Sequence, residues 1–185
     1  MGDHAITLIK ETGSGPAPMT QGFDELFSEH HQKVLSAAYR VTGNLPDAED
    51  AMQAVFLRLL KNRDPLIGSH DPARYLCRAA INAAIDLLRA RDRAPTETLI
   101  EETLQSENGA ADSETRQREQ RHWLRQAMLS LEQHTAEVFA LRYFEDYSNA
   151  EIAELLEVTP NSVAVTIHRA RNQLQNVLGE ISGED

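Results

Sequence analysis

Apolar residues recur at helical spacing over most of the chain. Phe23, Phe27, Val34, Ala38 and Val41 follow one another at steps of three, four or seven, the period of one face of an α-helix. Gly43-Asn44 closes this run in the manner of a Gly/Asn cap. A second stripe, Ala48, Met52, Val55, Phe56 and Leu59, runs through LPDAEDAMQAVFLRLLK. Pro46 near its start and Asp47, Glu49 and Asp50 in its first turn suit the positive end of a helix dipole. Two prolines and a glycine in NRDPLIGSHDP predict a loop. The segment from Ala73 to about Arg91 then carries Leu76, Ala80, Ala84, Leu87 and Leu88 on a broad apolar face and is basic elsewhere. Beyond Arg116, Trp123, Ala127, Met128 and Leu131 form one stripe, and Ala136, Val138, Phe139, Leu141, Tyr143 and Phe144 another. Strand alternation and internal repeats are both missing from the pattern. The predicted class is all-α.

The same pattern divides the chain. Residues 1–22 mix Gly, Ser, Pro and Thr without a period and predict a flexible tail. Residues 23–93 make a first helical domain. Residues 94–115, acidic and polar, predict a flexible linker, and residues 116–180 make a second helical domain. At 185 residues the chain suits two such units. With 5% aromatic residues, their cores must rest on Leu, Ile, Val and Ala. No apolar run is long enough to span a membrane, and the first residues lack the basic and apolar regions of a secretory signal. A cytoplasmic protein is predicted. The single cysteine, Cys77, excludes an internal disulfide framework and a Cys-based zinc site; lacking a resolving partner, it reads as a small core residue rather than a redox sensor. Glu29, His30 and His31 with the distant His70 make a poor metal site, because adjacent histidines point to different helix faces. Without a Gly-rich phosphate loop, nucleophile elbow or ligand cluster, neither an enzyme nor a cofactor is predicted.

Charge refines this picture. The formal net charge is −11, which taken alone argues against a nucleic-acid binder. Its distribution argues otherwise. From Asp24 to Leu60 six acids face three bases, and from Ala94 to His122 seven acids face three arginines. From Lys61 to Arg93 the balance reverses, with seven bases against four acids, and Thr159 to Leu178 holds Arg169 and Arg171 without any acid. Two locally basic helices in an acidic frame fit nucleic-acid faces beside a separate acidic or apolar docking face.

The most informative segment is SNAEIAELLEVTPNSVAVTIHRARNQL. Ser148 with Glu151 is a capping box, so a helix begins at Asn149 and ends near Leu156. Glu157-Val158 predicts a tight turn, and Thr159-Pro160 supplies an N-cap followed by proline at the first helical position. Val163, Ile167, Ala170 and Leu174 would face inward, and small Ala153 allows close approach. Two helices joined by about three residues make a helix-turn-helix, whose second helix enters the DNA major groove. An ordinary helical hairpin is the plainer reading of the segment by itself. The outward set is Asn161, Ser162, Ala164, Val165, Thr166, His168, Arg169 and Arg171. Arginine can bind guanine or phosphate bidentately, and Thr or Ala methyl groups can meet a thymine methyl.

Glu151-Ile152-Ala153 through Arg169-Ala170-Arg171 and Leu174 resembles the promoter-reading domain of bacterial sigma factors. Asp47-Ala48-Glu49-Asp50, followed by Gln53, Val55, Phe56 and Leu57, is similar to that family's polymerase-binding helix. Tyr75-Leu76 followed by Asn82, Asp86, Leu88 and Arg89 is similar to its promoter-melting helix. The order of these motifs, with a short acidic linker and no domain between, resembles the extracytoplasmic-function (ECF) group of the sigma-70 family. The resemblance covers roughly Phe23 to Arg93 and Arg116 to Leu178.

That resemblance implies a division of labour. Asp47, Glu49, Asp50, Gln53, Phe56, Leu57 and Leu60 would dock on the clamp helices of the largest subunit of core RNA polymerase. Charge complementarity and apolar anchors would supply the contact, whereas Val55 and Leu59 read as core. Arg74, Tyr75, Arg78, Asn82, Asp86, Arg89 and Arg93 would handle the promoter −10 element, where an extruded base needs a pocket and the single strand needs cations. A solvated, salt-bridged face is the plainer reading of that helix. The second domain would read the −35 element, and an anti-sigma factor would be a further partner. Two departures stand out. Ala164, Val165 and Thr166 are uncharged where the family commonly carries Lys or Arg, Ser, and Arg, and Glu157 stands where a small residue or glycine is frequent. An ordinary helix-turn-helix regulator, or a polymerase-binding adaptor with weakened DNA reading, are the alternatives.

Overall fold

Local signals set the helix boundaries. In the computed structural model, residues 18–62, 71–93 and 111–182 are described, and they form α1 (Pro18–Thr42), α2 (Leu45–Asn62), α3 (Pro72–Arg93), α4 (Ala111–Ser130), α5 (Gln133–Tyr143), α6 (Asn149–Leu156) and α7 (Pro160–Ser182). Among the described residues no strand occurs, and the all-α class holds. Gly43 closes α1 at φ +70°, with its N–H bonded to the Tyr39 carbonyl at 2.8 Å, the left-handed cap that glycine adopts without steric cost. Asn44 caps α2: its Oδ1 accepts from the Asp47 N–H at 2.8 Å and its Nδ2 donates to Asp47 Oδ2 at 2.7 Å. Asp71 does the same for α3, accepting from the Arg74 N–H at 3.1 Å, with Pro72 in the first helical position.

Two boundaries differ from expectation. Helix α1 starts at Pro18, about a turn earlier than its apolar stripe, and α4 starts at Ala111, inside the stretch read as linker. A helix lacking an apolar stripe leaves no period to detect. The remainder of the expected tail and linker, His70 and most of the NRDPLIGSHDP loop lie outside the described residues.

Helices α1, α2 and α3 pack on one another. Their shared core includes Val34, Ala38 and Val41 of α1, Val55, Phe56 and Leu59 of α2, and Leu76, Ile81 and Leu88 of α3. Each large aliphatic side chain removed from water in this way contributes about 1.5–3 kcal/mol. Helix α7 packs on α4, α5 and α6, around Met128, Leu131, Leu141, Ile152, Val163 and Ala170. Phe27, Trp123 and Tyr143, all expected within apolar stripes, remain exposed at the rims. The two groups of helices also touch: α3 lies against α4 and α5, and α1 against α4. A Cβ at Gly43 would meet Arg121 Cγ of α4 at 3.2 Å, so that glycine serves a close approach as well as a cap.

Candidate functional site

Three helix faces carry the candidate residues. On α2 the outward row is Glu49, Asp50, Gln53, Leu57 and Leu60. Leu57 and Leu60 are 53% and 49% exposed, so among the described residues nothing covers these large apolar side chains. Two residues assigned to the same set lie inside. Asp47 is fully buried and ion-pairs with Arg91 of α3. Phe56 is buried against Phe27 and Phe23, at ring-centroid distances of 4.8 and 6.1 Å. The helical period explains both: 56 falls on the face of 52, 55 and 59, and 47 is held inward by its Asn44 cap. Val55 and Leu59 are buried, as the stripe predicts.

The α3 face is basic, yet most of it is engaged. Arg78 Nε and Asn82 Nδ2 each donate to Glu137 Oε1 of α5 at 2.7 Å, and Arg78 Nη1 donates to the Leu155 carbonyl at 3.1 Å. Arg74 bonds Asp71 through Nε at 2.8 Å and Glu151 of α6 through Nη2 at 2.6 Å, with its guanidinium 5.6 Å from the Tyr147 ring centroid. Arg89 donates to Gln133 Oε1 at 2.5 Å and to the Leu131 carbonyl at 2.7 Å. Tyr75, Asp86 and Arg93 are exposed, and Arg93 Nε donates to the Arg89 carbonyl of its own helix at 3.0 Å.

Sequence reasoning missed the acidic counterparts of this face. Glu137 is a buried carboxylate, and its position inside the stripe of Ala136, Val138, Ala140 and Leu141 was the available signal, since an unpaired charge there would be untenable. Tyr147 was missed as well; it is buried beside Cys77, whose thiol burial and the nearby Glu145 carboxylate push up to about 11. Such a thiol is inert. Desolvation, first, and neighbouring negative charge also raise the Tyr147 phenol. Neither His30, which is buried, nor His31, whose Nδ1 meets the Phe27 carbonyl at 3.0 Å, belongs to a metal-binding group; among the described residues none exists.

The helix-turn-helix forms as its caps predict. Ser148 and Glu151 cap one another reciprocally at the start of α6. The Ser148 backbone and hydroxyl bonds, and Arg74 more weakly, hold the Glu151 carboxyl below the usual range. Glu157 turns the chain in the left-handed region, at φ 55° and ψ 41°. Thr159 Oγ1 then accepts from the Ser162 N–H at 3.1 Å, capping α7 behind Pro160. Val163, Ile167 and Ala170 are buried, and Asn161, Ser162, Ala164, Val165, His168, Arg169 and Arg171 are exposed. Thr166 is half-buried, its hydroxyl donating to the Ser162 carbonyl at 3.0 Å.

Comparison with known proteins reaches both helix groups. Sigma-70 region 2 matches residues 26–94, and Sigma-70, region 4, matches residues 121–174. RNA polymerase sigma factor CarQ of Myxococcus xanthus is 30% identical over 166 residues, covering 88% of this chain and 92% of CarQ. ECF RNA polymerase sigma factor SigE of Mycolicibacterium smegmatis is 30% identical over 176 residues, covering 92% of this chain and 67% of SigE. SigW of Bacillus subtilis is 26% identical over 168 residues, covering 86% and 90%. Among solved structures, CnrH in complex with the cytosolic domain of CnrY has the same fold, with a TM-score of 0.53, 21% identity, and coverage of 88% of this chain and 95% of that one. Two regions in the family's order, joined to 30% identity with relatives covered over two thirds or more of their length, show that the chain belongs to the ECF group of the sigma-70 family and directs promoter-specific transcription.

Proposed function

We propose that this sigma factor works as two units, residues 23–93 and 116–180, joined through residues 94–115. The first unit docks on the clamp helices of the largest subunit of core RNA polymerase through the outer row of α2 and reads the −10 element through α3. The second reads the −35 element through α7. The chain acts in the cytoplasm, where no cofactor is needed and an anti-sigma factor is its inhibitory partner. The observation that carries this reading is the row of Gln53, Leu57 and Leu60, exposed on a helix whose other face supplies the core. Half-exposed leucines fringed by Glu49 and Asp50 suit a partner surface that is apolar at its centre and basic at its edge.

Run-off transcription with purified core polymerase on genomic fragments tests the assignment. The wild-type chain is expected to confer initiation at mapped start sites. Leu57→Ala combined with Leu60→Ala is expected to weaken core binding on the order of tenfold or more while the fold is retained. Unchanged core affinity in that variant overturns the assignment of α2. The uncharged Ala164, Val165 and Thr166 favour one other reading, a polymerase adaptor with weakened DNA recognition. Such a protein would transcribe from pre-melted promoters but not from duplex ones.

A further inference from the structure

A helix lying in the major groove meets base edges with the ridge opposite its own core. At about 100° per residue, the ridge of α7 opposite Val163, Ile167 and Ala170 is Asn161, Val165, His168 and Asn172, all exposed. Arg169 falls on one flank of that ridge and Arg171 on the other, and both are exposed. Cations on two flanks suit the two phosphate walls of a groove. Phosphate contacts position a helix and carry no sequence information directly, so reading is left to the ridge between them.

The middle of that face is poor in donors. Thr166 Oγ1 donates to the Ser162 carbonyl at 3.0 Å, and the Ser162 hydroxyl pairs with the Thr159 hydroxyl at 2.9 Å. His168 Nδ1 and Asn172 Nδ2 lie 3.4 Å apart. With no arginine or lysine on the ridge, the fork that grips guanine is missing from its centre. Val165 stands there instead, 42% exposed, beside the exposed Ala164. In the major groove the base edges present one apolar group, the C5 methyl of thymine. Cytosine has no such methyl, and its N4 amine is a donor that a valine cannot accept.

We infer that α7 reads thymine by its methyl: Val165, with Ala164 beside it, packs against a thymine C5 methyl in the −35 element. The uncharged stretch of α7 then changes which base is read and does not merely weaken the reading. This rests on the assignment of α7 to duplex DNA given above. Asn161, one turn earlier on the same ridge, carries the amide that grips adenine N6 and N7. A run of A·T pairs therefore offers both residues a partner.

Deoxyuridine pairs as thymine does and lacks only the methyl, which makes it the probe. The full-length chain on core polymerase is measured on a promoter recovered by run-off mapping, with each thymine of the −35 segment replaced in turn by deoxyuridine. Replacement at the contacted position is expected to weaken binding about fourfold, the effect of one buried methyl. Val165→Ser is expected to weaken binding to the thymine duplex by a similar factor and to abolish the difference between thymine and deoxyuridine, the non-additivity of two groups in contact. Circular dichroism establishes that the variant is helical, and Val165→Gln, a good helix former without a methyl, replaces it should Val165→Ser not fold. A penalty that persists undiminished in the folded variant belongs to DNA shape and overturns the inference. So does a wild-type complex indifferent to deoxyuridine throughout the segment, the result expected of an adaptor with weakened DNA recognition, and so does a −35 segment without A·T pairs. If Arg169→Ala with Arg171→Ala leaves promoter affinity and its salt slope unchanged, the assignment of α7 to the duplex falls, and the inference falls with it.

Discussion

Helices α3 and α7 are both basic, both are assigned to DNA, and they present their cations in opposite ways. On α3, Arg74, Arg78 and Arg89 are drawn into contacts with α4–α6 or the turns between them. On α7, Arg169 and Arg171 are exposed and form no ion pair among the described residues. Position in the fold makes the difference. Helix α3 is covered by α1 and α2 on one side and by α4 and α5 on another. Helix α7 commits the face of Val163, Ile167, Ala170 and, in part, Leu174 to packing and leaves Asn161, Ser162, Ala164, Val165, His168, Arg169 and Arg171 exposed. Two helices of similar composition thus differ in availability, and availability decides which can meet a duplex without rearrangement.

The sharpest way to break this comparison is to attack the two faces of α7 separately. Val163 is 1% exposed and Val165 is 42% exposed, two positions apart on the same helix. Val163→Asp puts an unpaired carboxylate into an apolar core and is expected to cost roughly 3–5 kcal/mol. Loss of helical signal and of duplex binding together would be its signature. Val165→Asp is expected to leave stability within about 0.5 kcal/mol and to weaken duplex binding by repulsion from phosphate. Equal unfolding of the two variants would show that α7 has no open face.

A smaller effect separates α7 from α3. Arg169→Ala is expected to weaken binding to a mapped duplex promoter and to lower the magnitude of its salt slope by about 1, the signature of one lost phosphate contact. Arg78→Ala, measured on the upstream element alone, is expected to leave that slope unchanged, because its guanidinium is turned toward Glu137 and Leu155. Equal slopes for Arg169→Ala and the wild type would remove Arg169 from the DNA face.

What could be read along the chain, and what could not, follows the same division. The caps at Ser148, Thr159 and Asp71 act within three residues, so they are visible in any short window and place α6, α7 and α3 correctly. The outward set of α7 follows from its period alone. The fate of the α3 arginines does not, because their partners are distant in sequence: Arg78 and Glu137 are 59 residues apart, Arg74 and Glu151 are 77. Periodicity reports that a residue is turned away from its own bundle and says nothing about a second bundle arriving there. Asp47 carries the same lesson in reverse. As an acid in a first turn it satisfies the helix dipole from any orientation; the Asn44 cap and the position of Arg91 on α3 together turn it inward.

The smallest expected effect lies in the turn that aims α7. Glu157 occupies the left-handed region at φ 55°, and its N–H serves the Ala153 and Glu154 carbonyls at the end of α6. A residue with a Cβ is disfavoured there by roughly 1 kcal/mol, and glycine is not. Glycine also widens the freedom of the unfolded chain, at about 0.4–1 kcal/mol, so Glu157→Gly is expected to stabilise the protein by only a few tenths of a kcal/mol, read as a small rise in the denaturation midpoint. Removing the carboxylate beside the end of α7 proposed to read DNA is expected to tighten duplex binding for a separate, electrostatic reason. Glu157→Gln removes the charge and keeps the backbone strain, so it isolates that part. If the midpoint rises in the Gly variant but not in the Gln variant, the turn stores strain that the fold tolerates. If both rise alike, the carboxylate is the destabilising element, and the left-handed turn is no burden to the aim of α7.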